Sequence, residues 1–408
     1  MRKNGVNKKL TPISGGVCAP QGFAANGIYC ELPSSLFMEK QGTRENFAII
    51  RSDKRCPTAC VYGKGSLLGA PVKVTQKHLS SGYGRAVVVT SGIANVNGVD
   101  GEKQAQTLSR VFAKYADVLT EETVIASTGE MGKPFPLETF LENTKRLAEG
   151  LGKSEEKGLA AARAIMTNDN YPKQFAYAFE LGAYACKIGG ICKGTARVHP
   201  NMATTLCFLT TDACVSPQML QRALSAAVRD TFNLLDIDGI SSPNDTVCIM
   251  ANGLAGNYCI SEEDTEYKKF YFALEQTLSR VCKMIAEDGT EKAFSCYVTG
   301  AVSKTAARNV ARTVVSSLAL KREVYQATPL LTENLFCAVN ESGEEICLDR
   351  AEISLHSSVG KIFLFEDGRA KKFLAENAQK VLNGNDAELR IFLGNGNYCA
   401  QAYGRACR

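Results

Sequence analysis

Short runs of β-branched and apolar residues alternate with helical periodicities along the whole 408-residue chain. No other feature constrains the fold as strongly. A helical bundle would repeat one period and a β-sandwich the other, so their mixture implies helices layered on sheets, α/β or α+β. Strands are expected at 85–90 (RAVVVT), 123–126, 205–211 (TLCFLTT), 246–251 (TVCIMA), 295–302, 361–365 and 388–393. One helix is expected over 102–119, with Ala105, Leu108, Phe112, Tyr115 and Leu119 on one face. A second opens at Ser216-Pro217, with Ser as cap and Pro in the first turn, and continues through Leu220, Ala223, Val228 and Phe232. A third starts at Ser261, with Asp264 three residues on, and runs to about Ala286; a fourth covers 303–317. Residues 1–81, rich in Gly, Pro and Cys, read as short strands and loops with turns at 11–15 and 63–69.

Composition removes several classes of function. Hydrophobic residues make up 45% and charged residues 22%, the proportions of a globular protein long enough for two or three domains. The net charge of +5 is spread in short pairs such as Lys371-Lys372, with no basic cluster for a nucleic acid. No run approaches the roughly 18–20 apolar residues of a membrane span, and no apolar stretch follows the basic N-terminus, so a cytoplasmic location is expected. The 16 cysteines sit in apolar runs, as do Cys207, Cys248 and Cys296, and are expected to be reduced core thiols. The closest pairs are Cys56/Cys60, Cys186/Cys192 and Cys207/Cys214. With no CxxC and only His78, His199 and His356, no metal site is expected.

Familiar catalytic motifs are missing. GKGSLLG at 63–69 has the wrong spacing for a dinucleotide fingerprint, and Gly152-Lys153-Ser154 has Leu147 where a phosphate loop needs glycine. There is neither a G-x-S-x-G elbow nor an H-E-x-x-H. The unusual segment is 189–211, GGICKGTARVHPNMATTLCFLTT, with a glycine-rich approach, a Pro-Asn corner and a threonine at the mouth of a strand. Composition alone fits an ordinary loop leading into a strand. Chemistry offers another reading. A hydroxyl needs a nearby base to act as nucleophile, and a threonine freed at a new N-terminus carries one in its own α-amine. Cleavage between Ala203 and Thr204 would create that arrangement, and an acyl group taken onto Oγ could pass to a second amine. The turn Ala126-Ser127-Thr128-Gly129 offers a hydroxyl and a backbone N–H for an oxyanion, or is simply a glycine turn after a strand.

The sequence resembles the ornithine acetyltransferase family, the bifunctional glutamate N-acetyltransferases of arginine biosynthesis, from about Gly16 to the C-terminus. The resemblance lies in APQGF at 19–23, RAVVVTSGIAN at 85–95, ASTGEMGKPFP at 126–136, AIMTNDNYPK at 164–173, KGTARVHPNMATTL at 193–206, TTDA at 210–213 and DGISSPNDTVCIMANG at 238–253. It implies an α/β layered, α+β sandwich fold of the type shared with the N-terminal-nucleophile aminopeptidases. It implies self-cleavage into an α chain, 1–203, and a β chain, 204–408, assembled as α2β2. Acetyl would travel from N2-acetyl-L-ornithine to L-glutamate through acetyl-Thr204, with Thr128 and Gly129 as oxyanion hole. Lys193, Thr204, Asn170 and Glu291 would contact substrate, and Asn244 and Asp245 would be structural neighbours of the site. Both substrates are small amino acids, so no cofactor is implied; acetyl-CoA is an alternative donor in some members.

Several positions depart from the family pattern. Asn170 replaces a substrate-side threonine; DGTEKAF at 288–294 puts Thr290 in place of the usual glutamate, with Glu291 beside it. TPLLTE at 328–333 replaces a tryptophan-containing segment. AYGRAC at 402–407 leaves Ala402 and Cys407 where Asn and a hydroxyl are usual, and Thr90 and Ile93 replace two asparagines. Loss of hydrogen-bonding groups from a polar pocket changes discrimination strongly. The alternative is therefore a diverged acyltransferase or amidohydrolase acting on another small N-acyl amino acid.

Overall fold

The structure, a computed structural model, describes residues 10–36, 43–96, 98, 100–195, 205–289, 291–326, 331–384 and 386–407. Their strands and helices fall into two compact units. The first holds the described residues up to Gly194, with those of 205–228 and 241–278; Thr195, 229–240 and 279 onward form the second.

In chain order the first unit contributes β1 (Thr11–Pro12), β2 (Phe23–Ile28), β3 (Phe47–Tyr62), α1 (Ala70–His78), β4 (Tyr83–Ile93), α2 (Gly101–Ala116), β5 (Thr123–Glu130), α3 (Leu137–Glu149) and α4 (Glu155–Ala164). It continues with β6 (Lys173–Leu181), β7 (Tyr184–Lys193), β8 (Leu206–Thr211) and α5 (Pro217–Asp230). After β9 (Leu235–Asp236), which pairs in the second unit, come β10 (Thr246–Ala251) and α6 (Thr265–Glu287). The strand order is β1-β6-β7-β8-β10-β3-β4-β5, with β2 also on β3.

The long strand β3 belongs to both halves of this sheet. Its first half pairs with β2 and β4, its second with β10, and the pairing with β4 shifts register between Arg51 and Cys56. Val87, Val89, Val124 and Ala126 of one half share a core with Ile191, Leu206, Phe208, Cys248 and Met250 of the other. The sheet therefore folds over at β3 and packs against itself, as sheets do where a strand bends between layers. The alternate residues Ala86 and Val88 face outward onto Val74 of α1, Leu108 and Phe112 of α2, and Phe140 and Leu147 of α3. On the other half, Phe270 of α6 meets Phe179 of β6, ring centroids 6.3 Å apart. Strands covered on both faces read as continuous apolar runs, which is why RAVVVT and TVCIMA were legible.

The second unit is a two-layer α+β structure. Its strands are β9, β11 (Ala293–Ala301), β12 (Glu352–Ser357), β13 (Gly360–Glu366), β14 (Arg369–Ala370), β15 (Glu388–Phe392) and β16 (Tyr398–Arg405). They pair in the order β14-β13-β12-β15-β11-β16-β9. Along β11, buried Phe294, Cys296 and Val298 alternate with partly exposed Ser295 and Tyr297. The buried set packs with Val310, Val314 and Val315 of α7 (Lys304–Ser316).

Several expectations are corrected. α2 stops at Ala116, where Asp117 turns left-handed at φ 54°. Its buried stripe is Ala105, Leu108, Phe112 and Ala116, leaving Tyr115 and Leu119 exposed. The third helix is capped by Asp264, whose Oδ1 accepts the Tyr267 N–H at 2.7 Å, and not by Ser261. α5 ends at Asp230, before Phe232. Residues 47–62, expected as short strands and loops, form one 16-residue strand. Gly189-Gly190 lie inside β7, and Thr128-Gly129 end β5 rather than forming a turn. All sixteen cysteines carry free thiols.

Candidate active site

Within the first unit, four backbone segments converge at the ends of strands. β7 ends on Lys193 and β5 on Thr128, Gly129 and Glu130. The loop after α4 brings Thr167 and Asp169, and the entries to β8 and β10 bring Thr205, Asn244 and Asp245. β7 and β8 pair antiparallel with Lys193 opposite Leu206, while β8 and β10 run parallel with Leu206 opposite Thr246. Lys193 and Asp245 thus flank the start of β8 from its two neighbouring strands.

Lys193 is 2% exposed. Its Nζ donates to Thr167 Oγ1 at 2.6 Å and to Thr128 Oγ1 at 3.3 Å. Burial pushes its pKa down, against the pull of the Asp169 and Asp245 carboxyls. Asp169 is buried between two ammonium groups. Its Oδ1 accepts Lys173 Nζ at 2.8 Å and the Gly194 N–H at 2.7 Å, and its Oδ2 accepts the Thr167 N–H at 3.1 Å. Burial raises its pKa, but Lys193 and Lys173 outweigh that and hold the carboxyl below its ordinary value.

Asp245 shifts the other way. Burial pushes its carboxyl up to about 8, although the N–H groups of Thr205 and Ser242 and the Lys193 charge all favour ionisation. The contrast follows from count: Asp169 faces two ammonium groups and Asp245 one. Asp169 therefore stays ionised against the Lys173 ammonium, to which it is bonded at 2.8 Å.

Scaffolding residues hold this arrangement. Asn244 Nδ2 donates to Ala94 O at 2.6 Å and Ser127 O at 2.9 Å, tying the ends of β4 and β5 to the entry of β10. Gly129 has φ 124°, and an added Cβ would come within 2.2 Å of the Gly92 backbone, so only glycine fits. Thr90 donates to Ser127 Oγ at 2.8 Å and Ile93 belongs to the outer core, so these two departures from the family pattern serve structure.

Thr128 and Lys193, proposed from sequence, are thus brought together, with Gly129 adjacent. Ala203, Thr204 and Thr290 lie outside the described residues. Asn170 is exposed, and the side chain its segment sends to Lys193 is that of Thr167. Glu291 and Ala402 belong to the second unit, Glu291 half-buried and Ala402 within that unit's core. Thr167, Asp169 and Lys173 were missed as site residues, although all three lie in the segment AIMTNDNYPK. A carboxylate and a lysine four apart across a proline carry no helical signature that would pair them. Among the described residues no group of three His, Cys, Asp or Glu could hold a metal ion, and no helix is long and apolar enough to cross a membrane.

The site is thus a buried lysine, an adjacent hydroxyl and a glycine-only strand end set within a layered α/β fold. Comparison with known proteins makes this specific: the chain belongs to the ArgJ family, whose profile matches residues 35–407. It is 33% identical over 368 residues to arginine biosynthesis bifunctional protein ArgJ 1 of Clostridium acetobutylicum, covering 90% of each chain. It is 32% identical over 403 residues to the arginine biosynthesis bifunctional protein ArgJ of Bacillus subtilis, covering 97% of this chain and 94% of that one. Over 395 residues it is 34% identical to the ArgJ protein of Symbiobacterium thermophilum, covering 96% and 95%.

Proposed function

We propose that this chain is a glutamate N-acetyltransferase of arginine biosynthesis, moving acetyl from N2-acetyl-L-ornithine to L-glutamate through acetyl-Thr204. Membership of the ArgJ family supports it, and the observation that carries it is buried Lys193 with its Nζ 3.3 Å from Thr128 Oγ1. Lys193 ends the strand that leads into the segment bearing Thr204.

Self-cleavage comes first. Thr204 Oγ attacks the Ala203 carbonyl, the acyl group shifts from nitrogen to oxygen, and water opens the ester to leave Ala203 as a carboxylate. The freed α-amine of Thr204 then serves as base for its own hydroxyl. Oγ attacks the acetyl carbonyl of acetylornithine, and the oxyanion forms against the Thr128 hydroxyl and the Gly129 N–H. Ornithine leaves with the proton as its amine. The glutamate amine attacks acetyl-Thr204 by the reverse route, releasing N-acetylglutamate and restoring Thr204. Lys193 attracts the substrate carboxylate in both halves, with Asn170 as a further substrate contact. No cofactor takes part; acetyl-CoA is a second donor to assay. The products of the cut, 1–203 and 204–408, work as an α2β2 assembly in the cytoplasm.

Intact mass of the purified chain tests this directly. Two fragments meeting at Ala203/Thr204, absent in Thr204→Ala, together with acetyl transfer from acetylornithine to glutamate, are the expected result. A single uncut chain in both samples overturns it.

A further inference from the structure

The base that serves acyl transfer does not exist before the chain is cut, because the nitrogen of Thr204 is then an amide. Self-cleavage must therefore rely on how the chain is held at the cut. The described residue nearest to the cut on its downstream side is Thr205, and it is gripped at both ends of its backbone. Its N–H, which belongs to the peptide linking it to Thr204, donates to Asp245 Oδ1 at 2.7 Å. Its carbonyl accepts the Thr246 N–H at 3.0 Å. Two successive residues at the entry of β10 thus fix the residue that follows the nucleophile.

Asp245 is itself immobilised. It is 1% exposed, its Oδ2 accepts the Ser242 N–H at 3.1 Å, and its carbonyl accepts the Gly63 N–H at 3.2 Å. Among the described residues the charged group acting on it is Lys193 of β7, with Asp169 beyond that lysine. A carboxyl needs a reason to be buried here, since burial disfavours its ionised form. Two backbone donors, one at the cut, supply that reason, and the ionised carboxylate has an acceptor oxygen for each.

We infer that Asp245 is a positioning residue for self-cleavage, acting through its hold on the backbone N–H of Thr205, the residue that follows the nucleophile. The inference rests on the reading of Thr204 as a self-cleaving nucleophile. Asp245 exchanges no atom in the step. The C–N bond of Ala203–Thr204 breaks as the ester forms, the hydroxyl proton passes to the departing nitrogen, and water then divides the ester.

The test is a short cell-free pulse of the full chain, transfer to buffers spanning neutral to alkaline pH, and intact mass against time. Raising the pH through about 8 ionises Asp245 and strengthens its bond to the Thr205 N–H, so wild-type cleavage accelerates with an inflection there. Asp245→Asn retains one acceptor for two donors; its cleavage is expected to slow roughly ten- to hundredfold and to lose the inflection. Circular dichroism reports whether the variant folds. If it does not, the wild-type curve decides, and a curve without an inflection near 8 overturns the inference. Asp245→Asn cutting at the wild-type rate overturns the role of Asp245 alone, whereas wild type left uncut at every pH overturns the nucleophile reading and this inference with it.

Discussion

Two carboxyls within reach of one lysine shift in opposite directions, and the difference has a measurable consequence. Asp169 is buried, and its carboxyl sits below its ordinary value because Lys193 and Lys173 overcome the cost of burial. A group with a depressed native pKa contributes stability above its unfolded pKa, here the ordinary 3.8, and loses it as pH falls through the depressed value. Asp245, raised to about 8, follows the reverse rule: its contribution is complete below 3.8 and lost as pH rises towards 8. In the uncut Thr204→Ala background, Asp169→Asn strands two buried ammonium groups and is expected to lose about 2–5 kcal/mol near neutral pH. Denaturant unfolding at neutral and acidic pH checks this: the gap between the two proteins should close as the pH drops below 3.8. A gap independent of pH would mean that the loss comes from packing rather than from charge.

At the scale of elements, legibility tracked burial on both faces. β4, β8 and β10 are covered on both sides and stand out as apolar runs. β3 was missed because Arg51–Arg55 interrupt its apolar pattern where the sheet folds over, and a polar bend inside a strand reads locally as a loop. Of the site, Thr128 and Lys193 were legible; the pairing of Asp169 with Lys173, four residues apart across Pro172, follows no helical period, and the hold of Asp245 on Thr205 arises from the pairing of β8 with β10, which no local spacing encodes. β7 was missed through Gly189-Gly190, read as loop-forming. These glycines are required by close approach rather than by a turn: a Cβ on Gly189 would lie 1.9 Å from Gly16 O. Gly189→Ala should therefore destabilise the fold by about 1–3 kcal/mol, as overpacking does. Because the displaced strand ends on Lys193, acetyl transfer should fall as well. A thermal midpoint unchanged from wild type would show that the Gly16 segment moves aside freely.

For the molecule as a whole, the order of strands determines what a cut at Ala203–Thr204 would do. In the sequence β1-β6-β7-β8-β10-β3-β4-β5, the two strands downstream of the cut lie between strands upstream of it. β8 pairs with β7 from Ile188↔Thr211 to Lys193↔Leu206, and β10 pairs with β3 from Thr246↔Tyr62 to Met250↔Thr58. Every residue of β8 and β10 is buried, Leu206, Phe208, Val247, Ile249 and Met250 among them. At about 1.5–3 kcal/mol for each large apolar side chain, withdrawing the two strands would cost on the order of 10 kcal/mol before any hydrogen bond is counted. The fragments should therefore co-elute on gel filtration in native buffer and separate only in denaturant. Residues 1–203 made alone lack the centre of the sheet, expose the edges of β7 and β3, and should aggregate; co-production with 204–408 should restore solubility. Separation of the fragments in native buffer would contradict this strand order, in which β8 and β10 each have a neighbour on both sides.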